Sequence, residues 1–207
     1  GFQLYQDGGL PGVEVTALSV NGSGLVAGSF GDKDAAFFDD SVWVGTRLPE
    51  LTPFGVGNTS KDIKVDENGD IWICARGPGL MLYSDGAVIN YDETNSSLRG
   101  VSENASYVFT DALAGGEDYV FISNYRALDG NPVSVVDLAD RTNWISFGDE
   151  DGISDVFTAS LDYFDGVFAL GLRDNGVFFY YCGPDPFNKA DDSVVHFRED
   201  NSFIGSR

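Results

Sequence analysis

The stretch that decides the fold reads Asp62-Ile63-Lys64-Val65-Asp66-Glu67-Asn68-Gly69-Asp70-Ile71-Trp72-Ile73-Cys74-Ala75-Arg76-Gly77-Pro78-Gly79-Leu80-Met81-Leu82-Tyr83. A short apolar run ends in the polar turn Asp66 to Gly69, and a second strand centres on Trp72. The turn Gly77-Pro78-Gly79 feeds a third strand at Leu80 to Tyr83, and a fourth follows at Val88 to Tyr91. Asn68-Gly69 supplies the positive φ that a tight hairpin needs. The unit is four-stranded and antiparallel.

The same order recurs on both sides. Val15 to Val20 turns at Asn21-Gly22 into Leu25 to Ala27, then Ala35 to Phe38 and Val42 to Val44. Val108 to Leu113 turns at Gly115-Gly116 into Tyr119 to Ile122, then Val133 to Leu138 and Trp144 to Phe147. Val156 to Leu161 turns at Asp165-Gly166 into Val167 to Leu170, then Val177 to Tyr181 and Val194 to Phe197. First-strand residues Val15, Ile63, Val108 and Val156 lie 48, 45 and 48 residues apart. A four-stranded unit with a period of roughly 40–50 residues is what a β-propeller blade requires.

The expected fold is therefore all-β, with four antiparallel blades at about residues 13–46, 61–92, 106–148 and 155–199. Residues 1–6 and 202–207 read as parts of neighbouring blades, because Phe2 to Tyr5 resembles an outer strand and Phe203-Ile204 falls one period after Val156. That makes the chain part of a larger ring of about six to eight blades. A self-contained four-bladed ring, with either end as its closing strand, is the alternative.

Composition narrows the function. Thirty-three acidic residues face twelve basic ones, for a net charge of −21. Such a surface repels phosphate backbones and excludes nucleic-acid binding. It also disfavours anionic membranes. No apolar run approaches the roughly 18 residues of a membrane span. Twenty-five of the acids are Asp and only four of the bases are Lys, a surface suited to saline or extracellular surroundings. Cys74 and Cys182 have neither disulfide-framework nor zinc spacing. Four N-x-[ST] sites stand at Asn21, Asn58, Asn95 and Asn104.

Asp66 to Ala75, followed by Gly79 to Tyr83, resembles the repeat of the two-component-regulator propellers, periplasmic sensor lobes of hybrid histidine kinases in Bacteroidetes. Gly9 to Leu18 resembles that family's inter-blade junction, and similar blades occur in cell-surface proteins of the type IX secretion system. The last two blades depart from the pattern, with Phe121 and Phe168 near the place of the tryptophan. The resemblance implies a ligand sensor or surface scaffold rather than an enzyme.

Little in the chain suggests catalysis. The single histidine, His196, sits between Val195 and Phe197 in an expected outer strand. Chance pairs among 33 acids are too many for spacing to select an acid–base pair. The leading reading is a non-catalytic recognition or scaffold module at the cell surface, in the periplasm or outside the cell. Its partners would be a protein or glycan ligand and the remaining blades of the same protein. The alternative is a propeller enzyme acting on polysaccharide through loop carboxylates.

Arg76, Arg126 and Arg173 each follow a second strand, so they could meet an anionic ligand on one face of the ring; pairing with nearby carboxylates is the simpler account. Trp43 and Trp144, in outer strands, read equally as sugar platforms or packing, whereas Trp72 reads as core. No cofactor is called for. Asp66, Asn68 and Asp70 alternate around a glycine as a calcium loop opens, but they lack its distant Glu and fit a hairpin turn as well.

Overall fold

The computed structural model describes residues 15–24, 26–30, 34–38, 43–47 and 60–202. Four antiparallel units of four strands follow one another along the chain. The first holds β1 (Val15–Val20), β2 (Val26–Phe30), β3 (Asp34–Phe38) and β4 (Trp43–Arg47). The second holds β5 (Ser60–Val65), β6 (Ile71–Gly77), β7 (Leu80–Ser84) and β8 (Ala87–Tyr91). A short strand, β9 (Gly100–Val101), leads into the third: β10 (Asn104–Gly115), β11 (Tyr119–Asn124), β12 (Val133–Asp137) and β13 (Trp144–Phe147). The fourth holds β14 (Thr158–Phe164), β15 (Val167–Leu172), β16 (Val177–Tyr181) and β17 (Ser193–Phe197). Within each unit every strand pairs with the next in sequence, the order of a propeller blade, and β10 also pairs with β6 at Val108–Gly77 and Phe109–Arg76, which joins the second and third units into one sheet. Phe2 to Tyr5 and Phe203-Ile204, expected to belong to neighbouring blades, lie outside the described residues.

Packing is face to face between consecutive blades. First strands lie side by side in the order β1, β5, β10, β14. Ile63, Val65, Ile71 and Ile73 form a buried cluster with Ala27 of the first blade. Trp72, Cys74 and Leu82 form another with Leu113, Ile122 and Val136 of the third. Strand β6 is thus covered on both faces, which is why Ile71 to Ala75 reads as a continuous apolar run. Phe121, Val135 and Phe147 meet Phe168, Phe178 and Tyr180 between the last two blades. Side chains also bridge the blades: the N–H of Leu113 donates to Asp62 Oδ2 at 2.8 Å, and that of Val65 to Ser19 Oγ at 3.0 Å.

The turns follow local chemistry. Gly69 takes φ 87°, as the hairpin reading requires. Asp165 and Gly166 both take positive φ, the type I′ pattern that matches strand twist. In the first blade the positive φ falls on Gly24 rather than at Asn21-Gly22.

The structure also corrects the register of the repeat. Every first strand carries a bulge, placed just after Val15, Ser60, Thr110 and Thr158. These equivalent positions lie 45, 50 and 48 residues apart. Ile63 is therefore equivalent to Leu113 and Leu161, not to Val108 and Val156. The turns after β1, β5 and β10 differ in length from the two-residue turn after β14, so apolar spacing alone misaligned the blades.

A row of arginines and aromatic rings as the candidate functional site

The corrected register explains one end of the blades. Ala75, Asn124 and Leu172 pair with Ser60, Thr110 and Thr158 across equivalent bulges. The residues that follow them, Arg76, Tyr125 and Arg173, are therefore equivalent. Phe109 and Phe157, which precede Thr110 and Thr158, are equivalent too. The third and fourth blades repeat one backbone bond: Tyr125 N–H donates to Phe109 O at 2.9 Å, and Arg173 N–H to Phe157 O at 3.0 Å.

These bonds place cations and rings in one continuous row. Tyr107 lies 4.9 Å from Phe109, Phe109 5.7 Å from Tyr125, and Tyr125 5.8 Å edge-on to Phe157, all between ring centroids. The Arg76 guanidinium stands 5.1 Å over Phe109, that of Arg126 6.0 Å over Phe157, and that of Arg173 5.0 Å over Tyr125. All three are within cation–π range. The structure thus brings Arg76, Arg126 and Arg173 together and adds four rings that sequence reasoning missed. Phe109 and Phe157, one blade period apart, were the available signal.

The three cations are held differently. Both Nε and Nη2 of Arg76 donate to Asp111 Oδ1 at 3.3 Å. Arg126 pairs with Glu103, whose pKa falls below the ordinary carboxylate value because it accepts that hydrogen bond. Arg173 is exposed and, among the described residues, has no carboxylate partner. In a chain of 33 acids, its ring contact leaves all its guanidinium donors open to a ligand. Lys61 lies at the same end; burial and the neighbouring Arg76 lower its pKa.

Arg126 also carries strain. Its φ is 56°, in the left-handed region where a side chain costs roughly 1–2 kcal/mol. Its N–H is committed to Val156 O of the next blade at 2.8 Å, which holds the backbone there and points to a constraint at this site.

The other candidates fall elsewhere. Trp144 donates from Nε1 to Arg141 O at 2.9 Å and packs 5.2 Å from Tyr91, so it belongs to the contact between the second and third blades. Trp43 lies in β4, and its side chain is outside the described residues. Asp66 is fully buried: Oδ1 accepts from Asn68 and Asp70 N–H at 2.9 and 3.0 Å, and Oδ2 from Trp72 Nε1 at 2.9 Å. Asp70 pairs with Arg141, whose guanidinium lies 5.8 Å over the Trp72 ring. The alternating Asp66, Asn68 and Asp70 therefore build a hairpin turn whose carboxylates meet donors of the chain itself.

No protein-family model matches the chain, and no curated protein matches it. Solved structures do. PorZ, a surface component of the type-IX secretion system of Porphyromonas gingivalis, is 15% identical with TM-score 0.72, over 94% of this chain and 28% of that one. The extracellular domain of the hybrid two component system BT3049 from B. thetaiotaomicron is 14% identical with TM-score 0.61, over 95% of this chain and 26% of that one. The computationally designed Ika4 protein is 17% identical with TM-score 0.56, over 87% of this chain and 98% of that one. This chain spans little more than a quarter of the PorZ and BT3049 chains. At these identities the likeness is one of fold: an all-β propeller, similar to the proteins whose repeat the Asp66 to Tyr83 segment resembles.

Proposed function

We propose that this chain is a non-catalytic recognition module, working outside the cytoplasm, that presents the row from Arg76 to Arg173 to an anionic ligand. The observation that carries the reading is the open guanidinium of Arg173 over Tyr125, continued by Arg126 and Arg76 along the same rings. A net charge of −21 makes this cluster a local exception, so an anionic ligand is repelled elsewhere and attracted here. Guanidinium forks suit carboxylates, and the rings add apolar contact. The extracellular setting is supported by the Asp-rich, Lys-poor composition and by the extracellular or surface character of PorZ and the BT3049 domain.

The test is a binding screen of acidic polysaccharides, acidic peptides and neutral glycans, with a turnover assay on every binder. The reading predicts acidic binders that are retained unchanged and lost when Arg126 and Arg173 are replaced by Ala. Hydrolysis of a bound polysaccharide, or binding that ignores both arginines, contradicts it.

A further inference from the structure

Strand β10 is longer than its counterpart in the next blade, running 12 residues against 7 in β14. Thr158 opens β14, whereas the equivalent Thr110 is preceded in its strand by Asn104 to Phe109. This extension pairs with β9 as a hairpin, Asn104 opposite Val101, with Ser102 and Glu103 at the turn. It carries Tyr107 and Phe109, the first rings of the row that holds the arginines.

The base of the hairpin is anchored on every side. Val108 and Phe109 pair with Gly77 and Arg76 of β6. Leu128 N–H donates to Gly100 O at 3.0 Å, and Asn124 Nδ2 to Arg99 O at 2.9 Å. The tip is tied down far less, and Ser102 to Ser106 are all exposed. Ser102 Oγ donates to Glu103 Oε2 and Ser106 Oγ to Asn104 Oδ1, both at 3.0 Å, so these bonds stay within the tip. Among the described residues, one side-chain contact joins the tip to the body: Arg126 Nη2 donates to Glu103 Oε1. A carboxylate of the chain thus holds the middle cation of the row. The Glu103 side chain is 62% exposed, and ion pairs so open to water are weak enough for a ligand to displace.

We propose that Glu103 is a built-in competitor for Arg126, a regulation of the arginine row that rests on the recognition reading. The hairpin tip occupies Arg126 until carboxylates of the ligand take its place. A ligand with one carboxylate is met by Arg173 and stops there. A polyanion anchored at Arg173 holds its next carboxylate beside Arg126 at high effective concentration, and this displaces Glu103. The device therefore selects polyanions over single carboxylates. Displacement frees the tip from the body while the base of the hairpin stays in place.

The experiment is titration of poly-glutamate and polygalacturonate into the parent, Glu103→Gln, Arg126→Ala and the double variant, with amide hydrogen exchange followed at Ser102 to Ser106. Glu117→Gln, an exposed acid in the turn at the other end of β10, controls for the change in net charge. Glu103→Gln is expected to bind about fivefold tighter than the parent, and Glu117→Gln no tighter. The gain should vanish when Arg126 is also Ala, and exchange at the tip should quicken when polymer binds the parent. If the parent binds but Glu103→Gln gains nothing, or no more than Glu117→Gln, the proposal is overturned and the recognition reading stands. A gain that survives Arg126→Ala, or exchange at the tip unmoved by polymer, overturns it too. Binding of neither polymer by any of the proteins contradicts the recognition reading and the proposal together.

Discussion

Tyr125 and Arg173 occupy the same position in successive blades, and the guanidinium of Arg173 lies over the Tyr125 ring at 5.0 Å. The repeat therefore meets itself across a blade boundary, with a ring in one blade and a cation in the next. The second and third blades do the same in reverse order, since Arg76 of one lies over Phe109 of the other. A row of this kind follows from equivalent backbone positions filled by different side chains.

Arg126 tests whether the row was kept at a cost to the fold. Arg126→Gly removes the left-handed penalty of about 1–2 kcal/mol and loses a partly exposed ion pair and a cation–π contact at the limit of its range. Chemical denaturation should show stability unchanged or higher, while binding of an acidic ligand weakens. A clear loss of stability would show that the strain account is wrong.

Trp72 tests the core. It is fully buried, donates to Asp66, and stacks 5.9 Å from Tyr91. Trp72→Ala should cost about 3–5 kcal/mol through lost burial and a cavity. Trp72→Phe should cost about 1–3 kcal/mol, because Asp66 Oδ2 loses its buried donor. An unmoved denaturation midpoint in either variant would contradict the packing described.

Asp62 and Asp192 make stability depend on pH. Burial raises the pKa of both carboxyls above the ordinary 3.8. A carboxyl with a raised folded pKa opposes folding while ionised, so stability should increase as pH falls from neutrality through the folded values toward 3.8. Relief of the −21 net charge acts in the same direction. Melting curves between neutral and mildly acidic pH should show the rise, and Asp62→Asn should flatten part of it. Stability that falls steadily on acidification across that window would refute the assignment.

The turn at Asp66 makes a prediction about metal. Because Asp66 and Asp70 already meet N–H donors and Arg141, adding calcium or a chelator should leave the melting temperature unchanged. A calcium-dependent increase, lost in Asn68→Ala, would restore the loop reading.

The fold was readable from the recurring strand–turn order, which local chemistry dictates: Gly69 and Asp165-Gly166 stand where the hairpins turn. Register was harder. The bulges after Ser60, Thr110 and Thr158 leave no mark in hydrophobic spacing, and turns of unequal length shift the apparent period. For the same reason Arg76, Arg126 and Arg173 looked equivalent, whereas the equivalent set is Arg76, Tyr125 and Arg173. The rings beneath the arginines escaped notice because Phe109 and Phe157 meet them across blade boundaries, a contact made only once the blades stack.

The most direct test of the recognition surface is equilibrium binding of polygalacturonate and poly-glutamate to the parent and to Arg173→Ala, with dextran as the neutral control, at low and high salt. Arg173 is exposed and, among the described residues, has no carboxylate partner, so its removal, which loses the contact with Tyr125, should change stability by no more than about 1 kcal/mol. At least one acidic polymer should bind the parent and lose affinity by about tenfold in the variant, a difference of about 1.4 kcal/mol that shrinks at high salt. Equal binding by parent and variant, or preference for dextran, would contradict the account.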